Sequence, residues 1–169
     1  MEVVEFGPMT SELRAELEGD EDDPFEARGI TLRYRPKERH VVLRDADGRH
    51  VASAGLVLAD AELAGRRFPV VGLGGVLVRA SHRGRGLARE VVSAALAVAE
   101  TLGPEFVVLF CHDDRAGLYR KLGFVTVDAE VSVRQPDGYA RMPQVTMWRA
   151  LRASARWPDG PLTLQTLPF

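Results

Sequence analysis

The 169-residue sequence predicts an α+β fold, in which a mixed and mostly antiparallel central sheet is flanked by helices. Three observations lead to this class. Short segments rich in β-branched residues outnumber the segments with helical periodicity. A hairpin signal, Asp47-Gly48, joins two of these segments. An apolar run over residues 68–78 continues through a glycine-rich turn into an amphipathic helix. The predicted order is β-α-βββ-α-β-α-ββ.

The first half of the chain is predicted to contain one helix and four strands. The strands cover residues 2–6, 40–44, 50–58 and 68–78, and a connection over 61–67 precedes the last of them. The helix covers residues 12–18. Thr10 or Ser11 can cap it, and Leu13 and Leu17 lie on its inner face.

The second half is predicted to contain two helices and three strands. They are a helix from residue 87 to the Gly103-Pro104 breaker, a strand over 105–111, a short helix over 113–122, and strands over 124–134 and 144–151. Asp113 or Asp114 is the predicted N-cap of the short helix. A turn at Pro136-Asp137-Gly138 connects the last two strands.

The predicted domain organisation is one domain followed by a C-terminal extension. Residues 1–151 form the domain, and residues 152–169 form an extension. Because this extension carries several large apolar residues, we expect it to pack on the domain or on a second copy of the chain in a homodimer.

Composition restricts the class of protein. The net charge of −2 gives no support to a nucleic-acid-binding role. The longest apolar stretches are far too short to span a bilayer, and the N-terminus lacks the pattern of a signal peptide. A single cysteine, Cys111, excludes an internal disulfide and is typical of a reducing compartment. We therefore expect a cytoplasmic protein that does not bind membranes.

The turn between the apolar strand and the helix has the composition of a phosphate site. It reads Arg83-Gly84-Arg85-Gly86-Leu87-Ala88. The first amides of a helix have no internal partner and favour negative charge, and glycines allow close approach of an anion. The alternative is a basic surface turn. Neither the dinucleotide pattern G-x-G-x-x-G nor the P-loop pattern is present here.

Two motifs carry a resemblance to a known family. Arg83, Gly86 and Ala88 occupy the fixed places of the pattern [QR]-x-x-G-x-[GA], and residues 118–124 read L-Y-x-x-x-G-F. The sequence thus resembles the GNAT acetyl-CoA-dependent N-acetyltransferases. This resemblance implies a GNAT-type sheet and direct transfer of an acetyl group to a primary amine of a small molecule, with no metal. A non-catalytic sensor of acyl-CoA on the same fold is the alternative.

The resemblance also implies roles for particular residues. Acetyl-CoA is held through its pyrophosphate by Arg83, Gly84, Arg85, Gly86, Leu87 and Ala88, and through its pantetheine by the main chain of Val76, Leu77 and Val78. Tyr119 is the implied general acid, because a phenol with a pKa of about 10 is protonated at neutral pH and can donate to a departing thiolate.

Some positions depart from the family pattern or stay ambiguous. His112 stands where many members have asparagine, and it can bind the coenzyme, move protons or cap the helix. No acidic residue lies on the central strand, so the general base is not identified; water relays from Asp113, Asp114 or His112 are possible. In a few members the terminal carboxylate is the base, which makes Phe169 a candidate.

The acceptor is the least defined part of the prediction. The acidic segment over residues 19–28 is either a solvated loop or a feature that attracts a cationic acceptor. The stretch G-x-G-G-V-x-V at residues 72–78 and the Pro-Asp-Gly turn are similar to aminoglycoside 2′-N-acetyltransferases, which implies an aminoglycoside-like acceptor.

Overall fold

A computed structural model describes residues 1–19, 21, 23–25 and 28–169. Within that part of the chain, ten strands form one sheet with three α-helices. The elements are β1 (Glu2–Phe6), α1 (Ser11–Glu18), β2 (Arg39–Arg44), β3 (His50–Leu63), β4 (Arg66–Val78), α2 (Leu87–Ala99), β5 (Phe106–Cys111), α3 (Ala116–Arg120), β6 (Val125–Thr126), β7 (Val131–Gln135), β8 (Gly138–Arg141), β9 (Val145–Ala150) and β10 (Leu162–Leu164).

The sheet is mixed and mostly antiparallel, as predicted. Its strands follow the order β6-β9-β5-β4-β3-β10-β7-β8, and β2 joins β3 to β1. The two parallel pairs in this part of the chain are β4 with β5 and β10 with β7. The long strand β3 pairs with β2 along its first half and with β10 at its last three residues. It therefore holds the two ends of the sheet together.

The predicted long strand over residues 124–134 is wrong. These residues form two separate strands, β6 and β7, which lie near opposite ends of the strand order. The Pro136-Asp137-Gly138 turn closes the hairpin of β7 with β8, whereas β9 pairs with β5 and β6. Alternating hydrophobicity defines the faces of a strand but not its partner, so the pattern could not reveal that the chain crosses the sheet here.

The connection predicted over residues 61–67 is also wrong. β3 and β4 extend through it and meet at a two-residue turn, Ala64-Gly65, where φ is 49° and 74°. Positive φ at both positions is typical of a type I′ hairpin turn, for which alanine is an unusual residue. The signal that normally marks such a turn is missing from the sequence.

The helices differ from prediction mainly at their ends. Thr10 is the N-cap of α1, where its side chain accepts a hydrogen bond of 3.2 Å from the Leu13 amide, and Leu13 and Leu17 are buried. Neither Asp113 nor Asp114 caps α3. Both lie in a 3₁₀ turn that precedes it, and the N-cap position is Arg115.

Two large apolar cores lie on the two faces of the sheet, and a third, smaller cluster lies under α1. The core against α2 includes Leu56, Val71 and Leu73. The opposite core contains Val57, Val70 and Phe169, and residues 152–169 run back across this face. Trp148 and Trp157 stack there with ring centroids 4.9 Å apart. β10 thus makes the C-terminal segment part of the sheet.

Among the helices of the described residues, none combines the length and the hydropathy needed to cross a membrane.

Candidate active site

β4 and β5 separate in the middle of the sheet. They pair only from Val71 to Leu73 on β4 and from Val107 to Leu109 on β5. Beyond this point β5 continues its pairing with β9 as far as Cys111, while β4 runs on to Val78. In the described part of the chain, β4 therefore has no strand partner on this side after Leu73. The gap that opens between β4 and β5 is a wedge. Its β4 wall carries main-chain groups that need other hydrogen-bond partners.

A β-bulge lies at the start of this wedge. Gly74 pairs with Gly55 and Leu77 with Ser53, so Gly75 and Val76 on β4 oppose Ala54 alone on β3. Gly75 has a φ of +59°, which a residue with a side chain rarely adopts. A bulge bends its strand and is frequent beside active sites. Val76, Leu77 and Val78, the residues implied to bind pantetheine, follow this bend directly.

The glycine-rich turn closes the wide end of the wedge. Gly86 is the N-cap residue of α2, and its φ of 80° is a conformation that favours glycine. The Glu90 amide donates the first helical hydrogen bond, to the Gly86 carbonyl at 3.1 Å. The amides of Leu87 and Ala88 belong to the first turn, which has no acceptors within the helix. Together with the helix dipole they form an anion-binding end. Arg85 is exposed beside it.

Arg83 connects three parts of the site. Its Nε donates to the Val78 carbonyl at 3.1 Å, and its Nη2 lies 2.6 Å from Oε2 of Glu21. The acidic segment thus contacts the glycine-rich turn through Glu21. Other acidic residues of that segment, Asp20, Asp22 and Glu26, lie outside the described residues.

Tyr119 lies in α3, near the end of β5. It is 7% exposed, its ring packs edge-on against Phe124, and it belongs to the apolar cluster that contains Cys111. Burial, followed by the neighbouring Cys111, raises the pKa of the Tyr119 phenol well above its usual value. The hydroxyl therefore stays protonated across the physiological range.

Cys111 and His112 end β5. Burial raises the pKa of the Cys111 thiol to about 11, so it is not a thiolate nucleophile at neutral pH. His112 occupies the N-cap position of the 3₁₀ turn, but its side chain makes no capping hydrogen bond. Its Nε2 is buried without a hydrogen-bond partner among the described residues, and such a group needs a partner from a ligand or water.

Two residues that the sequence analysis did not connect, Lys37 and Phe169, cover the other face of β4. A Cβ built on Gly72 would lie 2.6 Å from the Phe169 ring, and one on Gly74 would lie 2.7 Å from the Phe169 main-chain carbonyl group. The Lys37 side chain crosses Gly55 and ends near Gly75. These glycines leave room for Lys37 and Phe169 to lie against β3 and β4.

Among the described residues, no group of three or more His, Cys, Asp or Glu side chains is arranged to hold a metal ion.

Comparisons with known proteins point in one direction. Residues 7–124 match the model of the family described as the acetyltransferase (GNAT) family. The curated protein glucosamine 6-phosphate N-acetyltransferase 1 from Oryza sativa subsp. japonica is 33% identical over 96 residues, which are 56% of this chain and 58% of that protein. This chain therefore spans less than two thirds of the length of that relative.

Solved structures share the fold at low identity. A GNAT family N-acetyltransferase from Escherichia coli, in complex with CoA, has a TM-score of 0.61 and 20% identity, and the match covers 96% of this chain and 89% of the other. A phosphinothricin acetyltransferase from Sinorhizobium meliloti, in complex with acetyl-CoA, has a TM-score of 0.58 and 16% identity over 94% of each chain. The predicted fold class is confirmed by these similarities.

Proposed function

The chain belongs to the GNAT acetyltransferase family, and from that membership we propose that it transfers the acetyl group of acetyl-CoA to a primary amine of a small molecule. The observation that carries this proposal is the wedge between β4 and β5, which ends at the N-terminus of α2. A linear ligand with amides along its length and a pyrophosphate at one end fits that arrangement. The solved relatives that contain CoA or acetyl-CoA support it.

Coenzyme binding is proposed to use two sets of groups. The pyrophosphate accepts hydrogen bonds from the amides at the start of α2, with charge from Arg83 and Arg85. The pantetheine amides pair with the free main chain of Val76, Leu77 and Val78, as an added strand would. An amide near Val76 can also polarise the thioester carbonyl. His112 Nε2, which lacks a partner among the described residues, is available to the coenzyme arm.

The chemistry needs an activated acetyl group and a proton donor. The coenzyme thioester supplies an electrophilic acetyl carbon and a thiol leaving group. We assign the donor role to Tyr119, because its phenol is protonated at neutral pH and its ring lies beside Cys111 at the end of β5. The acceptor amine attacks as the neutral base.

An amino sugar is the proposed acceptor class. The curated relative is named for glucosamine 6-phosphate, and the similarity to aminoglycoside 2′-N-acetyltransferases also concerns amino sugars. The positive charge of Arg14 near the bulge favours an acceptor with an anionic group, since Arg14 acts on Lys37 there. Glu21, in contrast, pairs with Arg83 at the coenzyme end. The cytoplasm, where acetyl-CoA is available, is the proposed location.

A direct assay tests the proposal. Thiol release from acetyl-CoA is followed with amino sugars, their 6-phosphates, aminoglycosides and polyamines as acceptors. We expect turnover with an amino sugar and a higher kcat/KM for the phosphorylated form. Polyamine turnover alone would overturn the acceptor class, and the absence of acetyl-CoA binding would overturn the whole proposal.

A further inference from the structure

Lysine is rare in this chain. Of 22 basic Lys and Arg residues, only Lys37 and Lys121 are lysines. The distinction matters, because an arginine side chain does not lose its proton in proteins, whereas a buried lysine can become a neutral amine. Lys121 is exposed at the end of α3. Lys37 is half-buried beside the bulge of the central strand.

The path of the Lys37 side chain leads to the bulge. A Cβ built on Gly55 would lie 2.5 Å from its Cγ, one on Gly74 would lie 3.0 Å from its Cε, and one on Gly75 would lie 3.7 Å from its Nζ. The side chain therefore crosses from β3 to β4, and a side chain at Gly55 would collide with it. Its amine ends one residue before Val76, whose amide is the proposed partner of the thioester carbonyl.

The segment that carries Lys37 is fixed on both sides. The Arg35 amide donates to the Pro168 carbonyl at 2.8 Å, and the Glu38 amide donates to the Leu56 carbonyl at 3.1 Å. No ion pair of Lys37 is found among the described residues. The segment is thus held near the bulge by these main-chain hydrogen bonds.

We propose that Lys37 is itself an acetyl acceptor of this enzyme, modified by acetyl-CoA bound in the same molecule. The proposal rests on the proposed function, because it requires the thioester to lie at the bulge. The neutral Nζ forms a bond to the acetyl carbon as the carbon–sulfur bond breaks. Tyr119 protonates the thiolate, water takes the proton lost by Nζ and returns a proton to Tyr119, and the products are N-acetyl-Lys37 and CoA.

The environment of Lys37 favours the reactive form. Burial, followed by the charge of Arg14, lowers the pKa of Lys37 from 10.5 to about 8. At pH 7 the neutral fraction of such an amine exceeds that of an exposed lysine on the order of a hundredfold. Lys121 is therefore an internal reference for uncatalysed acetylation.

The experiment incubates the full chain with acetyl-CoA and no acceptor, followed by intact-mass and peptide mass spectrometry. We expect one acetyl group per chain, at Lys37. Lys37→Arg should abolish this label, and the matched variant Lys121→Arg should retain it. Excess CoA should suppress labelling, because it competes for the same wedge.

A second readout does not depend on acetyl transfer. Trinitrobenzenesulfonate labelling with peptide mapping distinguishes the two lysine amines from each other and from the α-amine of Met1. CoA should protect Lys37 while it leaves Lys121 unchanged. Equal labelling of both lysines by acetyl-CoA, or labelling of Lys37 that persists in denatured protein or in excess CoA, would overturn the proposal. Turnover of an amino sugar with Lys37 unmodified would overturn it and leave the proposed function intact. Failure to bind acetyl-CoA would overturn both.

Discussion

The ring of Phe169 occupies the space that a side chain at position 72 would need. A Cβ built on Gly72 falls 2.6 Å from three atoms of that ring, closer than real Cβ contacts come. Gly72 lies in the middle of β4, and Phe169 is 97 positions further along the chain (169 − 72). The central strand and the C-terminal segment are therefore fitted to each other on the face of the sheet opposite α2.

Replacing Gly72 with alanine should destabilise the protein. The added methyl group forces the buried Phe169 ring to move, and overpacking of this kind costs about 1–3 kcal/mol. Urea unfolding measures the change in free energy. Gly117→Ala is the control, because a Cβ there meets nothing within 4 Å and the residue is helical, so stability should stay equal or rise.

A double-mutant cycle separates this clash from a general effect on the strand. In a Phe169→Ala background the ring is absent, and Gly72→Ala should then lose most of its cost. An unchanged cost in that background would contradict the contact as the cause.

The proposed role of Tyr119 predicts a selective loss of rate. Tyr119→Phe keeps the ring against Phe124 but removes the proton donor, so kcat should fall about a hundredfold or more. The Kd for acetyl-CoA, measured by calorimetry, should stay within error of the parent value. Tyr139→Phe removes an exposed hydroxyl elsewhere and should leave kcat unchanged. Equal effects of the two substitutions would refute the assignment.

The Arg83–Glu21 pair predicts competition with the coenzyme. To bind phosphate, Arg83 has to give up its ion pair with Glu21. An exposed ion pair contributes up to about 1 kcal/mol, so Glu21→Gln should tighten acetyl-CoA binding by up to about fivefold. Glu2→Gln removes an ion pair of the same 2.6 Å length, with Arg44, and should not affect binding. Weaker binding by the Glu21 variant would show that Glu21 supports the site.

Acetylation of Lys37 should depend on pH in one direction. The amine reacts when neutral, so the rate should rise with pH and level off above about pH 8, where its lowered pKa lies. The charged and titratable groups around it are Arg14 on α1, His40 on β2 and the main-chain carboxyl group of Phe169, which approaches Gly74. The facing positions on β3 and β4 are glycines.

Arg14→Gln tests that account. It removes a positive charge, raises the pKa of Lys37 and should move the rise in rate to higher pH. A profile that is the same in both proteins, or that falls with pH, would contradict it. Peptide mass spectrometry of timed samples gives the rates.

Local features of the site could be predicted from the sequence, whereas long-range contacts could not. The strand, glycine turn and helix over residues 68–99 are continuous in the chain, so periodicity and turn residues defined them. Lys37 lies in a segment without helical or strand periodicity. Its position depends on the main-chain hydrogen bond between Arg35 and Pro168, which no local sequence pattern encodes. The crossing from β6 to β7 could not be predicted for the same reason.

The free edge of β4 has a consequence for the lifetime of the protein. An unpaired strand edge is a template on which other chains can add, and it promotes aggregation. Here the edge lies inside the sheet, between β4 and β5, and the coenzyme is its proposed partner. Saturating CoA should therefore slow both amide exchange at residues 76–78 and aggregation on storage. The cellular level of coenzyme would then govern how long this protein survives as well as how fast it works.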